Sequence, residues 1–236
     1  CEDGSSATFG ERLRICQGDF LILEEADLEP LKLCSEITGD LEIGASELRK
    51  LSYLHNLQIL GGSLTVALGS RLVSFEGLEN LSIIKGSLNH HGALAWPGQT
   101  MNGLENLIRI EGSLRIEGST ISSLAGLKNL STIGDQFIID GNNGLTSLDG
   151  LENLTSLGHL RIERAIFLSS ITALANLTSI GDLRIYRNGH LSSFAGLENL
   201  RSVEGHLDVA YNYLPYYASG TGEATGLESV AALNNV

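Results

Sequence analysis

Basic residues, proline and long apolar runs are scarce in this chain of 236 residues. Lysine and arginine number 15 against 28 aspartates and glutamates, which gives a formal net charge of -13 at pH 7. A surface of that sign repels phosphate backbones and anionic headgroups, so we expect no nucleic-acid partner. No apolar run approaches the ~20 residues that a membrane-spanning helix needs, and no basic amphipathic helix is visible. We therefore expect membrane contact only through a lipid anchor.

Motifs that carry catalytic or metal chemistry are also missing. The sequence has no glycine-rich phosphate loop after a strand, no Gly-x-Ser-x-Gly elbow and no Cys-x-x-Cys pair. His90 and His91 are adjacent, but neighbouring residues of a strand point to opposite faces, so the two histidines are not expected to share a metal. We predict a protein that is not an enzyme and that uses no cofactor and no metal.

What the chain does contain is a five-residue phrase, most often Gly-Leu-Glu-Asn-Leu, that occurs seven times. The phrases close at Leu57, Leu81, Leu107, Leu130, Leu154, Leu177 and Leu200, which lie 24, 26, 23, 24, 23 and 23 residues apart. A fixed period in the twenties is typical of a solenoid, in which each unit buries its apolar side by stacking on its neighbours. We predict one elongated domain over 13–236, preceded by a flexible tether over 1–12.

After each phrase comes a Gly or Asp turn and then an apolar-x-apolar triplet. The triplets are Leu41/Ile43, Leu64/Val66, Leu114/Ile116, Phe137/Ile139, Leu160/Ile162, Leu183/Ile185 and Leu207/Val209, with a degenerate one opening at Leu88. Such alternation predicts short strands with one buried face, and strands one coil apart must be parallel. The fold class is therefore mainly β: a right-handed parallel β-solenoid, similar to leucine-rich repeats, with about eight coils and capped ends.

The middle residues of the triplets should stack in a column on the outward face of this sheet. They are Glu42, Thr65, Asn89, Arg115, Ile138, Arg161, Arg184 and Asp208, and a second column two residues further on includes Glu117, Asp140, Glu163 and Tyr186. Arg161 stacked on Arg184 would repel it unless a carboxylate or a ligand lies between them, and Glu163 and Asp182 are placed to help. The face is either a solvated, charge-balanced surface or a recognition surface.

Two segments interrupt the repeat. The unit over 89–102 is expanded and holds Trp96, the single tryptophan, which either anchors a partner or packs under its loop. The second segment begins at Tyr211 and is rich in tyrosine; it either stacks on a ligand or covers the open last coil, and we favour the covering role. The candidate ligand-binding residues are Arg115, Arg161, Arg184, Tyr186, Glu163, Trp96, His91 and Tyr211.

The first residues of the repeat region resemble a known family. Arg14-Ile15-Cys16-Gln17-Gly18, and then Leu33-Cys34 through Gly39-Asp40-Leu41, look like the start of a receptor L domain. This is the leucine-rich right-handed β-helix of insulin-receptor and EGF-receptor ectodomains and of related fungal and bacterial surface proteins. The Asn-Leu-x-x-Ile-x-Gly-x-Leu units extend the resemblance over nearly the whole chain, and Asn80–Leu88 is typical of them.

The resemblance implies a disulfide between Cys16 and Cys34, since the two opening cysteines of the family are bonded. It also implies a non-enzymatic extracellular or cell-envelope module that binds a protein or a glycan, through the strand-ladder face or the 89–102 loop. Two alternatives stay open. Parallel β-helices of similar coil length act as polysaccharide lyases, which Arg161 and Arg184 beside acidic residues could imitate. The chain could also be a structural envelope spacer, and its oligomeric state is left open.

Cys1 is left without a partner once Cys16 and Cys34 are paired. A chain that opens with a cysteine and continues with polar residues resembles a mature bacterial lipoprotein, whose N-terminal cysteine is acylated. The alternatives are a boundary that falls at a cysteine by chance and a second disulfide partner that is missing. Asn-x-Ser/Thr sequons occur at Asn80, Asn129, Asn153 and Asn176, but each of these asparagines also belongs to the repeated phrase, so we expect a structural role for them.

Overall fold

The computed structural model describes residues 12–44, 47–92 and 98–212, and these residues wind into a parallel β-solenoid of about eight coils. In chain order the strands are β1 Arg14–Cys16, β2 Phe20–Ile22, β3 Cys34–Ile37, β4 Leu41–Ile43, β5 Ile59–Leu60, β6 Leu64–Val66, β7 Ile83–Ile84, β8 Leu88–His91, β9 Arg109–Ile110, β10 Leu114–Glu117, β11 Thr132–Asp140, β12 Ser156–Glu163, β13 Ser179–Ile180, β14 Leu183–Tyr186, β15 Ser202–Val203 and β16 Leu207–Ala210. Four 3-10 helices span Glu25–Leu31, Ser52–Leu54, Ala125–Leu127 and Thr172–Leu174. The mainly β solenoid predicted from the repeat is confirmed.

The strands form two ladders along the solenoid. The main sheet runs in the order β2-β4-β6-β8-β10-β11-β12-β14-β16, and every pair in it is parallel. A side sheet of shorter strands begins β1-β3-β5-β7-β9 and joins the main sheet because β11 and β12 are long enough to run through both. The triplets predict the strands of the main sheet but not the side sheet, where β1, β3, β5, β7 and β9 are two to four residues long and leave too little alternation to detect.

The register of the main sheet confirms the columns expected from the triplets. Leu114 pairs with Phe137, Phe137 with Leu160 and Leu160 with Leu183, and all of these side chains are buried. The ladder starts one strand earlier than the triplets indicate, since β2 pairs in register with β4. No leucine-asparagine phrase precedes β2, and this explains why the repeat pattern did not include it.

The repeated Gly-Leu-Glu-Asn-Leu phrase forms a corner that bonds each coil to the one before it. The glycines at 77, 103, 150 and 196 have φ between 98° and 109°, a region that L side chains rarely adopt. A Cβ on Gly150 would also lie 2.2 Å from the Leu124 carbonyl oxygen of the preceding coil. The glutamate that follows accepts a hydrogen bond from the glycine N–H, at 3.0 Å for Glu152. The phrase is therefore a tight turn whose first position requires glycine.

The asparagine of each phrase makes the same hydrogen bond in all seven coils. Its Nδ2 donates to a main-chain carbonyl of the preceding coil over 2.6 to 2.8 Å. We call this column the phrase corner; its members are Asn56, Asn80, Asn106, Asn129, Asn153, Asn176 and Asn199. Nδ2 is also the atom that would carry a glycan, so the four sequon asparagines use that atom to hold the solenoid together.

Phrases that do not begin with Gly-Leu-Glu use a different kind of turn at the same corner. The phrases around Tyr53, Lys128 and Ala173 begin with a 3-10 turn in place of the positive-φ glycine turn. Gly126 belongs to one of them, and its φ is not positive. The choice of turn thus follows the local sequence, while the asparagine bond is kept in both kinds of coil.

The disulfide implied by the family resemblance is present. Cys16 in β1 and Cys34 in β3 are bonded, with their Cα atoms 5.6 Å apart, and both cysteines are buried. The bond joins β1 and β3, the first two described strands of the side sheet. Closing a loop of this length contributes about 3 kcal/mol of stability by restricting the unfolded chain.

A second amide ladder lies beyond the main strands, at three buried asparagines. Asn188 Nδ2 donates to Ile162 O over 2.9 Å, and Asn212 Nδ2 donates to Ile185 O over 2.8 Å. Asn142 accepts from the N–H groups of Gly144 and Leu145. Ser119 and Ala165 occupy the same position in other coils, so this ladder is partial. Cys1, Trp96, the proposed tether and the tyrosine-rich segment after Tyr211 lie outside the described residues, and the division of the chain at residue 12 stays a prediction.

Candidate functional site

The outward face of the main sheet, the main face, brings the two arginines singled out from the sequence next to each other. Arg161 in β12 and Arg184 in β14 are register partners, as are Glu163 and Tyr186 two residues further on. Both guanidinium side chains are about half exposed, at 45% and 47%. Two like charges on adjacent strands repel each other, so this arrangement needs a compensating group.

Glu163 is that group. It points outward from β12, yet only 4% of its side chain is exposed because arginines cover it. Arg161 Nη2 donates to Glu163 Oε2 over 2.8 Å, and Arg184 Nε lies 2.5 Å from Oε1 as an ion pair. Burial alone would raise the pKa of Glu163, but the hydrogen bond from Arg161 and the charges of Arg161, Arg184 and Arg164 outweigh it and lower the pKa. Glu163 is therefore an ionised carboxylate clamped between two guanidiniums.

A second carboxylate repeats this arrangement one coil earlier. Asp140 lies in β11 beside Glu163, and its side chain is 18% exposed. Arg164 Nη2 donates to Asp140 Oδ2 over 2.6 Å, and Arg161 Nη2 lies 3.8 Å from the same oxygen. The layer nearest the sheet is thus negative, and the layer facing solvent is positive.

Tyr186 contacts the guanidinium of Arg184 and that of a further arginine, Arg187. The Cζ atoms of Arg184 and Arg187 lie 5.3 and 5.1 Å from the centre of its ring, within the range of a cation–π contact. Tyr211 packs edge-on against the same ring at a centroid distance of 5.1 Å and is itself 57% exposed. These contacts complete a surface that we name the arginine patch. Its members are Arg161, Arg164, Arg184, Arg187, Tyr186 and Tyr211.

Three members of the patch occupy a backbone conformation that disfavours them. The residue that follows the main strand has a positive φ in five successive coils: Gly118, Gly141, Arg164, Arg187 and Tyr211 have φ of 56°, 64°, 53°, 58° and 58°. We call this column the left-handed corner. Glycine adopts such angles without penalty, whereas a residue with a Cβ loses about 1–2 kcal/mol. The coils that contain β12, β14 and β16 therefore keep large side chains at a position where glycine would be more stable.

A shallow groove opens beside the patch. It has a volume of about 180 Å³ and is lined by Gln136, His159, Leu160, Arg161, Asp182 and Arg184. Asp182 lies between two histidines, 3.0 Å from His159 Nδ1 and 3.2 Å from His206 Nδ1. A hydrogen bond from the His206 main chain, assisted by the histidine side chains, lowers the pKa of Asp182. Asp182 thus pairs with histidines and not with the arginines, for which it was an expected partner.

The remaining candidates lie apart from the patch. Arg115 is separated from Arg161 by β11, whose outward residue Ile138 is only 3% exposed. His91 pairs with Glu117 at 3.4 Å. His90 is buried under the sheet, next to Phe75, and burial lowers its pKa to about 4. The expectation that the two histidines face opposite ways is confirmed.

Arg164 and Arg187 are the functional candidates that sequence reasoning missed. Both lie just after a triplet strand, at a position that Gly118 and Gly141 fill in the two preceding coils. An arginine that replaces glycine at a repeated turn position is a signal that the sequence does contain. It can be recognised only once the coils are aligned on the turn as well as on the strand.

Comparison with known families agrees with the resemblance found in the sequence. Residues 33–96 match the Receptor L domain family. This segment spans strands β3 to β8 and the first corner asparagines, and the matching family is the one that the sequence resembles. Receptor L domains are extracellular, non-enzymatic ligand-binding domains. No curated protein matches the chain significantly.

Two further features are absent from the described part of the chain. No helix within 12–44, 47–92 and 98–212 is long and apolar enough to cross a membrane. Over the same ranges, histidine, cysteine and carboxylate side chains form no group of three or more that could hold a metal ion. Asp140 and Glu163, the acidic residues nearest to Arg161, are engaged by arginines instead.

Proposed function

We propose that this protein is an extracellular binding module that recognises a protein partner through the arginine patch. The observation that carries the proposal is the left-handed corner, where Arg164, Arg187 and Tyr211 stand in place of glycine. A side chain kept at a cost in stability indicates a role other than folding. Arginine and tyrosine are also the residues most enriched among those that dominate the binding energy of protein interfaces.

The arrangement of the patch supports binding for a second reason. Arg161, Arg164 and Arg184 are each held by a carboxylate, so much of their side-chain entropy is already lost before a partner arrives. Preorganised groups bind more tightly because less ordering is needed on association. A surface that only contacts solvent does not require arginines held in fixed positions. Their rigidity therefore favours binding over the alternative of a structural envelope spacer.

The disulfide supports an oxidising location for the chain, since such bonds persist outside the cytosol. We therefore place the module at the cell surface or in the cell envelope. Acylation of Cys1 belongs to the same proposal. Intact-mass measurement of protein from the native host would test it, because a lipid on Cys1 adds a fixed increment to the mass.

The polysaccharide-lyase alternative is less well supported by the geometry. An arginine that removes a proton must be free to approach its substrate, and the acidic residues near it must be free to hold a cation. In the patch, Arg161 is bonded to Glu163, and Asp140 is bonded to Arg164. The same groups therefore neutralise one another.

Site-specific photo-crosslinking tests the proposal. A photoreactive residue would be placed at Asp208, the register partner of Arg184 at the edge of the patch, and separately at Arg109 on the side sheet. Each variant would then be mixed with a surface extract of the native host. Both positions are about half exposed, at 44% and 54% of the side chain, and neither belongs to the patch. We expect one protein to be crosslinked from position 208 and not from position 109. Equal products from both positions, or none from 208, would refute the patch as the binding site.

A further inference from the structure

We propose that the arginine patch recognises carboxylate groups on an acidic protein segment. This inference rests on the proposed function and specifies the chemistry of the partner. The patch differs in charge from the rest of the molecule. The chain carries 15 basic residues and a net charge of -13, yet four arginines are gathered on two neighbouring coils.

The positive and negative groups of the patch differ in their exposure to solvent, and this difference decides which ligand the patch attracts. The carboxylates of Glu163 and Asp140 are 4% and 18% exposed, while the guanidiniums of Arg161, Arg164 and Arg184 are 45%, 53% and 47% exposed. A ligand approaching over these three arginines meets their guanidiniums before it meets Glu163 or Asp140. Two carboxylates at the edge of the groove, Asp182 and Asp208, are also exposed, at 43% and 44%. The carboxylates below keep the arginines in position and leave their outer edges facing solvent.

Unused donors on the arginines match the geometry of a carboxylate. Arg184 meets Glu163 and Asp208 through its Nε, and Arg161 meets Glu163 and Asp140 through its Nη2. A guanidinium has five N–H donors in a planar fork, which fits two carboxylate oxygens side by side. The groove between Arg161 and Arg184 has a volume of about 180 Å³, enough for a carboxylate-bearing side chain.

The aromatic residues favour a protein over an acidic glycan. A sugar ring binds an aromatic side chain by stacking on its open face. Tyr186 contacts the guanidiniums of Arg184 and Arg187 at 5.3 and 5.1 Å and the edge of Tyr211. Its ring therefore orients arginines, and the patch presents guanidinium edges in place of a stacking platform.

The acidic surface of the remaining chain limits the length of the segment. Charges more than about 8 Å apart are largely screened at physiological ionic strength, so the patch acts locally. A short acidic segment can meet the guanidiniums without being repelled by the other carboxylates. A long polyanion that extends along the solenoid would encounter them.

Calorimetric measurement of the binding of two polyanions and one polycation tests the inference. The probes are a short oligoglutamate peptide, polygalacturonate and a short oligolysine peptide. The proteins are the wild type, Arg161→Gln/Arg184→Gln, Arg187→Gly and the control Arg109→Gln. Arg109 is an exposed arginine paired with a glutamate on the side sheet, which makes it a matched control outside the patch.

We expect oligoglutamate to bind the wild type and Arg109→Gln equally and to bind Arg161→Gln/Arg184→Gln at least tenfold more weakly. Removing Arg161 and Arg184 leaves Arg164, at 3.9 Å, as the partner of the buried Glu163, and this loss of compensating charge could unfold the variant. Arg187→Gly avoids this problem because glycine suits φ of 58°. It should therefore fold at least as well as the wild type and still bind oligoglutamate several-fold more weakly.

The remaining outcomes separate this inference from the proposed function. Binding of polygalacturonate but not of oligoglutamate would overturn the protein segment in favour of a glycan. Binding of oligolysine, or of oligoglutamate with equal strength to all four proteins, would overturn recognition of carboxylates by the patch. If no probe binds while position 208 still crosslinks a partner, this inference fails and the binding function stands. If crosslinking from position 208 also fails, both are wrong.

Discussion

The phrase corner and the main face belong to the same coils, yet they differ in how much the residue type varies from coil to coil. All seven asparagines of the corner donate the same hydrogen bond over 2.6 to 2.8 Å. On the main face, the same coils present glutamate, threonine, asparagine, arginine, isoleucine and aspartate in one column. A bond between neighbouring coils is needed in every coil, whereas an outward side chain is not needed for stacking. Arginines gathered on two coils of the free face therefore point to recognition.

The largest loss of stability is expected when a side chain is added to the glycine turn of the phrase corner. Gly150→Ala places a Cβ 2.2 Å from a carbonyl oxygen at φ of 109°, and we expect a loss of about 3 kcal/mol or more in the free energy of unfolding. Chemical denaturation measures it. The control is Gly141→Ala in the left-handed corner, where the nearest atom lies 3.8 Å from the Cβ and the loss should be about 1 kcal/mol. Equal losses would mean that backbone angle alone, and not contact between coils, makes the corner strict.

Burial of His90 beneath the main face should make the stability of the protein depend on pH. Its pKa is about 6.5 in the unfolded chain and about 4 in the folded protein. The unfolded chain therefore binds more protons between these values, and stability falls as the pH is lowered through that window. The total loss is roughly 3 kcal/mol at about 1.4 kcal/mol per pKa unit.

His90→Leu removes this proton linkage and keeps an apolar side chain in a column of isoleucine and valine. We expect the difference in stability between the variant and the wild type to grow in favour of the variant as the pH falls from 7 to 4. Denaturation curves at several pH values measure it. A difference that stays constant with pH would show that His90 does not titrate as a buried group.

Loss of one corner asparagine should have a moderate effect. Asn153→Ala removes the hydrogen bond to the Lys128 carbonyl and should lower the free energy of unfolding by about 1–2 kcal/mol. The matched control is Asn143→Ala, at an exposed asparagine elsewhere in the same region. We expect no change above about 0.5 kcal/mol for that surface substitution. If the two variants were equally stable, the corner would owe its regularity to something other than this bond.

The smallest effect, and the one of opposite sign, is expected on the main face. Arg187→Gly relieves the left-handed backbone at φ of 58° and should raise the free energy of unfolding by up to about 1 kcal/mol. Arg187→Ala serves as the control because it removes the same guanidinium but keeps the Cβ. A gain in stability with glycine but not with alanine would show that the arginine is kept despite its backbone cost. A glycine variant less stable than the wild type would mean that Arg187 is part of the folding framework.

Much of the site could be predicted because a solenoid converts sequence spacing directly into neighbours. The period placed Arg161 beside Arg184 and Glu163 beside Tyr186, and the register confirms both pairs. Arg164 and Arg187 escaped notice because the repeat was aligned on strands, while these residues lie at a turn. The role of Asp182 was wrong for a related reason: it lies at the entry of β14, where His159 and His206 reach it first.

The amino-acid sequence by itself determined the period, the columns of the main sheet and, through the family resemblance, the pairing of Cys16 with Cys34. Each of these depends on spacing along the chain or on a local motif. Only the tertiary structure decided that Glu163, an outward residue of a strand, is buried under arginines from its own and the next coil. Burial of this kind depends on the directions of long side chains from several coils. Those directions are set by packing in three dimensions, which spacing alone does not specify.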